Sequence, residues 1–268
     1  MRSLHCTRNI TKRGTIVEKV QKVLKSYWLT VIVVIALLGL YIYVSENKLY
    51  STMMFPEIDN IWETFLENRD VMFKNLLASI QLLIPSIFIT LFVALTVGII
   101  LGTNKFLRKA LHPIIYACSC VPSILISPFV LLVIGDFYKA SIFLIFYGTI
   151  WATLFATITG IETIDKRYFD NAKTLELKGI KLMTKVVLPA ASPNIIGGFV
   201  NSLRSSFVML VFAEMYGASY GLGFYVKRYC EYGLYPNVWA GFIFMVLILV
   251  ITMQFFEKLK QYLLKWTV

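Results

Sequence analysis

Residues 170–193 read DNAKTLELKGIKLMTKVVLPAASP and form the most highly charged internal segment of the chain, standing between two long apolar runs. The flanking runs are as long as a membrane span, so this polar stretch reads as a loop between spans. The composition agrees: 58% of the 268 residues are hydrophobic, 15% are charged, and the mean hydropathy is +0.71. About 20 apolar residues in a helix cross a hydrocarbon core of about 30 Å. Backbone groups in lipid need internal partners, so each run is expected to be a helix.

Six such runs occur, at about 27–45, 77–102, 111–134, 140–162, 193–213 and 237–257. The first is a retained span rather than a signal peptide, because 26 residues precede it and Val44-Ser45-Glu46 offers no small-residue cleavage site. Lys and Arg set the orientation. Segments 1–26, 103–110, 163–192 and 258–268 hold nineteen of them, against six in the alternate segments. The excess places both termini and the loop at 163–192 in the cytoplasm. The net charge of +11 follows from that topology and implies no nucleic-acid partner.

Catalytic chemistry has no visible carriers. Cys118 and Cys120 lie in a run, Cys6 is cytoplasmic and Cys230 faces outward, so no disulfide framework is expected. With His5 and His112 the only histidines, neither a histidine metal cluster nor a serine–histidine triad is expected. There is no GxxxxGK[ST] sequence to cradle ATP phosphates, and GLG at 221–223 is too short for a dinucleotide signature.

Within the loop, Tyr168, Phe169, Ala172 and Leu175 recur at steps of three and four, on one face of a short helix whose remainder carries Asp170, Lys173 and Glu176. Such a helix has no core of its own. It either lies on the lipid surface with its lysines toward anionic headgroups, or enters a groove on a cytoplasmic partner. Val186-Val187-Leu188-Pro189 is expected to end the segment, and Ser192-Pro193 to cap and start the fifth span.

The loop resembles the EAA motif of ABC-importer permeases, in which E-A-A is followed by three residues, a glycine, nine residues and I-x-L-P. Aligned without gaps, Asp170, Asn171 and Ala172 stand at E-A-A, Glu176 at the glycine, Val186 at the isoleucine and Leu188-Pro189 at the end. Glu176 is the sharpest departure, and Gly179 lies three residues on. Three further stretches resemble the nitrate, sulfonate and taurine branch of that family. These are Asn75-Leu-Leu-Ala-Ser79 with Gly98 to Gly102, Pro122-Ser-Ile-Leu-Ile-Ser-Pro128, and Phe212-Ala-Glu-Met-Tyr-Gly-Ala-Ser-Tyr-Gly-Leu-Gly223. The likeness covers roughly residues 70–257.

The resemblance implies an all-α, polytopic membrane protein with six transmembrane helices and a type I ABC-importer-like permease fold. The implied order is a basic cytoplasmic segment 1–26, a first span 27–45, an extracytoplasmic segment 46–76, a permease core 77–257 containing the coupling loop 163–192, and a cytoplasmic tail 258–268. The implied setting is the bacterial inner membrane. There the chain pairs with a second, identical permease subunit, binds ABC ATPase subunits and receives solute from an extracytoplasmic binding protein. ATP and Mg belong to the ATPase, with no cofactor or metal in this chain. The leading solute class is a small organic anion of the sulfonate, taurine or nitrate type, and an aromatic vitamin precursor is the alternative. A stand-alone secondary transporter or channel would instead show internal repeats and acidic residues inside the membrane.

Phe169, Asp170, Ala172, Leu175, Glu176, Gly179, Leu188 and Pro189 are the coupling residues this implies, with Ala172 and Leu175 entering the ATPase. Pro122, Pro128, Arg204, Phe207, Glu214, Gly217, Ser219, Gly221 and Gly223 are the candidates for pathway or gate. The prolines kink a span or are ordinary intramembrane prolines, and the glycines form an outward gate loop or a simple connector. Arg204, near the middle of a run, is either a fixed cation for an anionic solute or half of an ion pair between helices. Phe207, Phe212, Tyr216 and Tyr220 either present rings to a solute or pack.

Overall fold

A computed structural model describes residues 28–47 and 54–265. The basic segment 1–26, part of the 46–76 segment and the last three residues of the tail lie outside them. Every regular element among the described residues is helical. The chain divides into two compact units, residues 1–61 and 62–268. In the first, helix α1 (Trp28–Glu46) is followed by a turn. Tyr41 donates to the Pro56 carbonyl at 2.8 Å, and Ser45 bonds to the carbonyls of Phe55 and Pro56.

Helix α2 runs from Ile58 to Thr103, so the connector before the second apolar run is itself largely helical. The third run is broken. Helices α3 (Lys105–Ser119) and α4 (Ser123–Ile134) meet at 90°, with Pro122 at the N-cap of α4. Pro122 thus marks the break, whereas α4 passes through Pro128. Helix α5 covers Phe137–Glu162, α6 Lys166–Thr174, α7 Gly179–Leu182, α8 Leu188–Gly217, α9 Leu222–Glu231 and α10 Tyr235–Leu263. Among the described residues, five helical stretches are long and apolar enough to span a membrane, and the α3–α4 pair taken as one broken span makes six.

Local chemistry explains the helix ends. Asn104, Asp136 and Asp165 each accept backbone N–H groups at the starts of α3, α5 and α6, the donors that a helix leaves unpaired. Arg108 donates to the Leu101 and Gly102 carbonyls at the end of α2 and pairs with Glu162 at 3.0 Å, tying three helices together where a cation favours a helix C-terminus.

The core is the α5–α8 pair with α2 against it. Gly198 lets α8 approach α5 so closely that a Cβ there would overlap Ala156 and sit 2.8 Å from the Ala152 carbonyl. Lipid is as apolar as the helices, so small residues and buried hydrogen bonds must supply much of the attraction. A hydroxyl seam provides it. Thr90 on α2 meets Thr149 at 3.1 Å, Ser202 on α8 meets Thr153 at 2.7 Å, and Ser202 donates to the Thr149 carbonyl at 2.6 Å.

Ser192-Pro193 does not start a span. Helix α7 passes through a π-helical turn, Met183–Val187, into α8, so the backbone is helical from Gly179 to Gly217. Pro189 cannot donate to the Lys185 carbonyl, and at this point the pattern widens, with Leu188 N–H reaching back to Met183. Pro193 likewise frees the Pro189 carbonyl, which accepts the Ser192 hydroxyl at 2.9 Å. The serine therefore repairs the helix interior instead of capping an end.

Candidate functional site

The charged loop folds as α6, a turn and α7. Its apolar face is shared between the chain's own core and solvent. Phe169 and Leu188 pack against a cluster of Ile161, Val187, Ala191 and Ile195. Ala172, at 2% exposure, is buried too. That corrects two expectations: the helix does have a core, and Ala172 does not present itself to a partner. What remains open to solvent is Tyr168, Leu175 at 70% and Ile180 at 81%. Beside them a groove of about 690 Å³ runs between α6 and the foot of α8, lined by Asn171, Lys185 and Pro189 among others. Asp170 pairs with Lys173 at 3.2 Å on the rim.

Glu176 has φ +52°, the only positive φ outside glycine among the described residues. Its N–H bonds to the Lys173 carbonyl at 3.0 Å, and the Leu177 N–H to the Ala172 carbonyl at 2.9 Å. This pair of bonds is the Schellman closure of a helix, in which the residue at Glu176's place takes the left-handed conformation that glycine takes most readily. The turn keeps a glycine's geometry while carrying a glutamate. Gly179, with φ +55°, makes the next bend into α7.

At the far end of α8 the remaining candidates gather. Gly221, φ +124°, precedes α9. Its N–H donates to Asn75 Oδ1 at 2.9 Å, Leu222 N–H to Ser79 Oγ at 3.0 Å, and Gly223 N–H to Glu214 Oε2 at 2.7 Å. Glu214 is 1% exposed, and its Oε1 has no hydrogen-bond partner among the described residues. A Cβ at Gly221 would overlap the Glu214 carboxyl group, and one at Gly223 would sit 2.6 Å from the Val211 carbonyl. Ser219 and Tyr220 are exposed on the intervening loop, which with Gly217 borders a cavity of about 310 Å³.

Arg204 and the aromatic residues separate from this group. Arg204 Nη2 pairs with Glu257 Oε1 on α10 at 2.8 Å, and Lys260 approaches the same carboxylate at 3.7 Å. This is the ion pair between helices, and the charge is neutralised within the chain. Phe207 is buried. Phe212 packs against Tyr216 with ring centres 4.5 Å apart and the planes tilted by 31°, and the Lys227 ammonium lies 5.2 Å from the Tyr216 ring centre. Sequence reasoning missed the hydroxyl seam at Thr149 and Thr153, although their four-residue spacing was visible. It also missed Asn75 and Ser79 as partners of residues more than 140 positions away.

Comparison with known proteins identifies the family and the fold. The profile of the family described as "Binding-protein-dependent transport system inner membrane component" matches residues 94–266. The putative aliphatic sulfonates transport permease protein SsuC of Bacillus subtilis is 33% identical over 172 residues, covering 64% of this chain and 62% of that protein. The nitrate import permease protein NrtB of Leptolyngbya laminosa is 30% identical over 155 residues, 58% of this chain and 56% of that one. The chain thus spans about three fifths of the length of these two relatives. The bicarbonate transport system permease protein CmpB of Synechococcus elongatus is 25% identical over 82% of this chain and 78% of its own. In fold, the chain resembles the inward-facing MetNI methionine ABC transporter with a TM-score of 0.62 at 16% identity, over 74% of this chain and 98% of that one. With its helical core and matched profile, the chain belongs to the family of binding-protein-dependent transport system inner membrane components.

Proposed function

We propose that this chain is the membrane-spanning permease of an ATP-driven importer, working as a pair of identical subunits by alternating access. Solute arrives from an extracytoplasmic binding protein, and separate ATPase subunits, holding ATP and Mg, dock on the cytoplasmic loop at 163–192. Both termini then lie in the cytoplasm, as the distribution of Lys and Arg requires.

The observation that carries this reading is the unbroken helical path from Gly179 to Gly217. At about 1.5 Å per residue its α8 portion alone is about 45 Å long. A displacement at the loop therefore reaches the opposite end of the span through one helix, the requirement for a transporter whose power source is outside the membrane. Tyr168, Leu175 and Ile180 supply an apolar knob with a charged rim of Asp170, Lys173 and Lys178.

The solute is proposed to be a small oxyanion of the sulfonate or nitrate class, in keeping with what the relatives are named for. Arg204 is committed to Glu257, so it is not proposed as a free cation for the anion. Uptake of radiolabelled nitrate, taurine and an alkanesulfonate by vesicles holding the complete complex tests the class. Transport of a neutral or cationic solute with none of these taken up would overturn it.

A further inference from the structure

The first three N–H groups at the start of α9 are each held by a side chain from another helix, Asn75 and Ser79 on α2 and Glu214 on α8. Ordinarily a helix start is capped by its own neighbouring residue or by water. Here three helices are pinned at one point, and the two glycines flanking Leu222 are what allow Glu214 and α8 to lie against it. The loop that ends in this cap, residues 218–221, borders a cavity lined by Gln81, Leu82, Tyr138 and Ser141. The loop has space to move into, and the cap fixes its end.

The cap is also built to release. Glu214 is buried with one oxygen bonded to Gly223 and the other without a hydrogen-bond partner among the described residues. A buried carboxylate oxygen without a partner costs free energy that hydration would return. Lifting the loop would therefore break three hydrogen bonds and supply water to both carboxylate oxygens and to the α9 N–H groups, which narrows the gap between closed and open arrangements.

We propose that Asn75, Ser79 and Glu214 form a latch that holds the 218–221 loop as the closed outer gate of the pathway, released and reset by movement of α8. The three are positioning residues: they set where the loop sits and are not assigned contact with solute. The proposal rests on the permease reading above, because α8 begins at the loop where the ATPase is placed.

Two experiments on the complete complex in vesicles test it. In the first, Ala78→Cys and Ala218→Cys, small residues that line the same cavity and lie outside the cap, are joined by a short thiol cross-linker. Uptake is compared in the same vesicles before and after. The latch predicts a loss of roughly tenfold or more, since a gate that cannot move stops turnover. Complete cross-linking with unchanged uptake would overturn it. In the second, with the four native cysteines replaced by serine, Leu222→Cys, buried under the cap, is labelled with a membrane-impermeant maleimide, with Glu214 intact and with Glu214→Ala. Labelling per molecule should rise several-fold in the Ala variant, and equal labelling in both backgrounds would overturn the latch. If Glu214→Ala fails to fold, the cross-linking experiment still decides. If no ATPase accompanies the chain, the permease reading fails, and the Leu222→Cys labelling still reports whether the cap holds the loop.

Discussion

Glu176→Gly should make the protein more stable, although it deletes an entire side chain. Glu176 sits at φ +52° with its N–H and that of Leu177 closing α6 onto Lys173 and Ala172. For a residue with a Cβ the left-handed conformation costs about 1–2 kcal/mol, whereas glycine adopts it freely. Glycine in turn loses about 0.4–1 kcal/mol through the greater freedom of its unfolded chain. Glu176 is exposed and makes no ion pair among the described residues, so no side-chain contact offsets the difference. The net expectation is a gain of about 0.5–1 kcal/mol, or a melting point higher by about 2 °C. Thermal unfolding of the detergent-purified chain, followed by tryptophan fluorescence, should rank Glu176→Gly first, Glu176→Asn near the unsubstituted chain and Glu176→Val last, because a β-branched residue tolerates this conformation worst. A glycine variant that melts lower than the unsubstituted chain, with Glu176→Val unchanged, would refute a left-handed turn here. The angle at which α6 is presented would then be set by something other than this closure.

Other perturbations follow from the same geometry. Ser202→Ala and Thr153→Val should each cost about 1 kcal/mol and together less than the sum, because they share the 2.7 Å bond; a chemical-denaturation cycle measures the shortfall. Arg204→Met and Glu257→Gln should show a coupling of about 0.5–1 kcal/mol, the range for a pair more than half open on the arginine side, with anion uptake largely kept. Abolished uptake at full stability in Arg204→Met alone would return the arginine to the pathway.

The sequence made the helices plain and their joints obscure. Apolar runs are legible because a span must be apolar throughout its length, whatever it packs against. Ser192-Pro193 was misleading for a physical reason: a serine hydroxyl can cap a helix start or bond back to a carbonyl inside one, and the same two letters serve both. The break at Pro122 was visible as a proline but not as a 90° turn, which depends on what α3 and α4 pack against. Ala172 fell on the apolar face of its helix, as the spacing required. Periodicity finds a face without saying whether the chain itself or a partner covers it, and here Ala172 faces the chain while Leu175 faces out. The resemblance singled out the 212–223 segment, yet the cap joins residues more than 140 positions apart, a separation at which local pattern carries no information.

On the proposed function, the loop between α5 and α8 docks the ATPase through its exposed apolar residues. Leu175→Asp and Ile180→Asp place a charge where it would have to be desolvated without a partner, at a cost of several kcal/mol, while leaving the core of this chain untouched. Co-purification of the ATPase with each variant, at matched permease abundance, is the direct measurement. Both variants should lose the ATPase, Lys173→Ala should keep it, and a triple alanine replacement of Lys178, Lys181 and Lys185 should keep most of it. Full retention of the ATPase by Leu175→Asp and Ile180→Asp, with loss only on neutralising the three lysines, would contradict the claim and leave α6 and α7 as helices lying on the lipid surface.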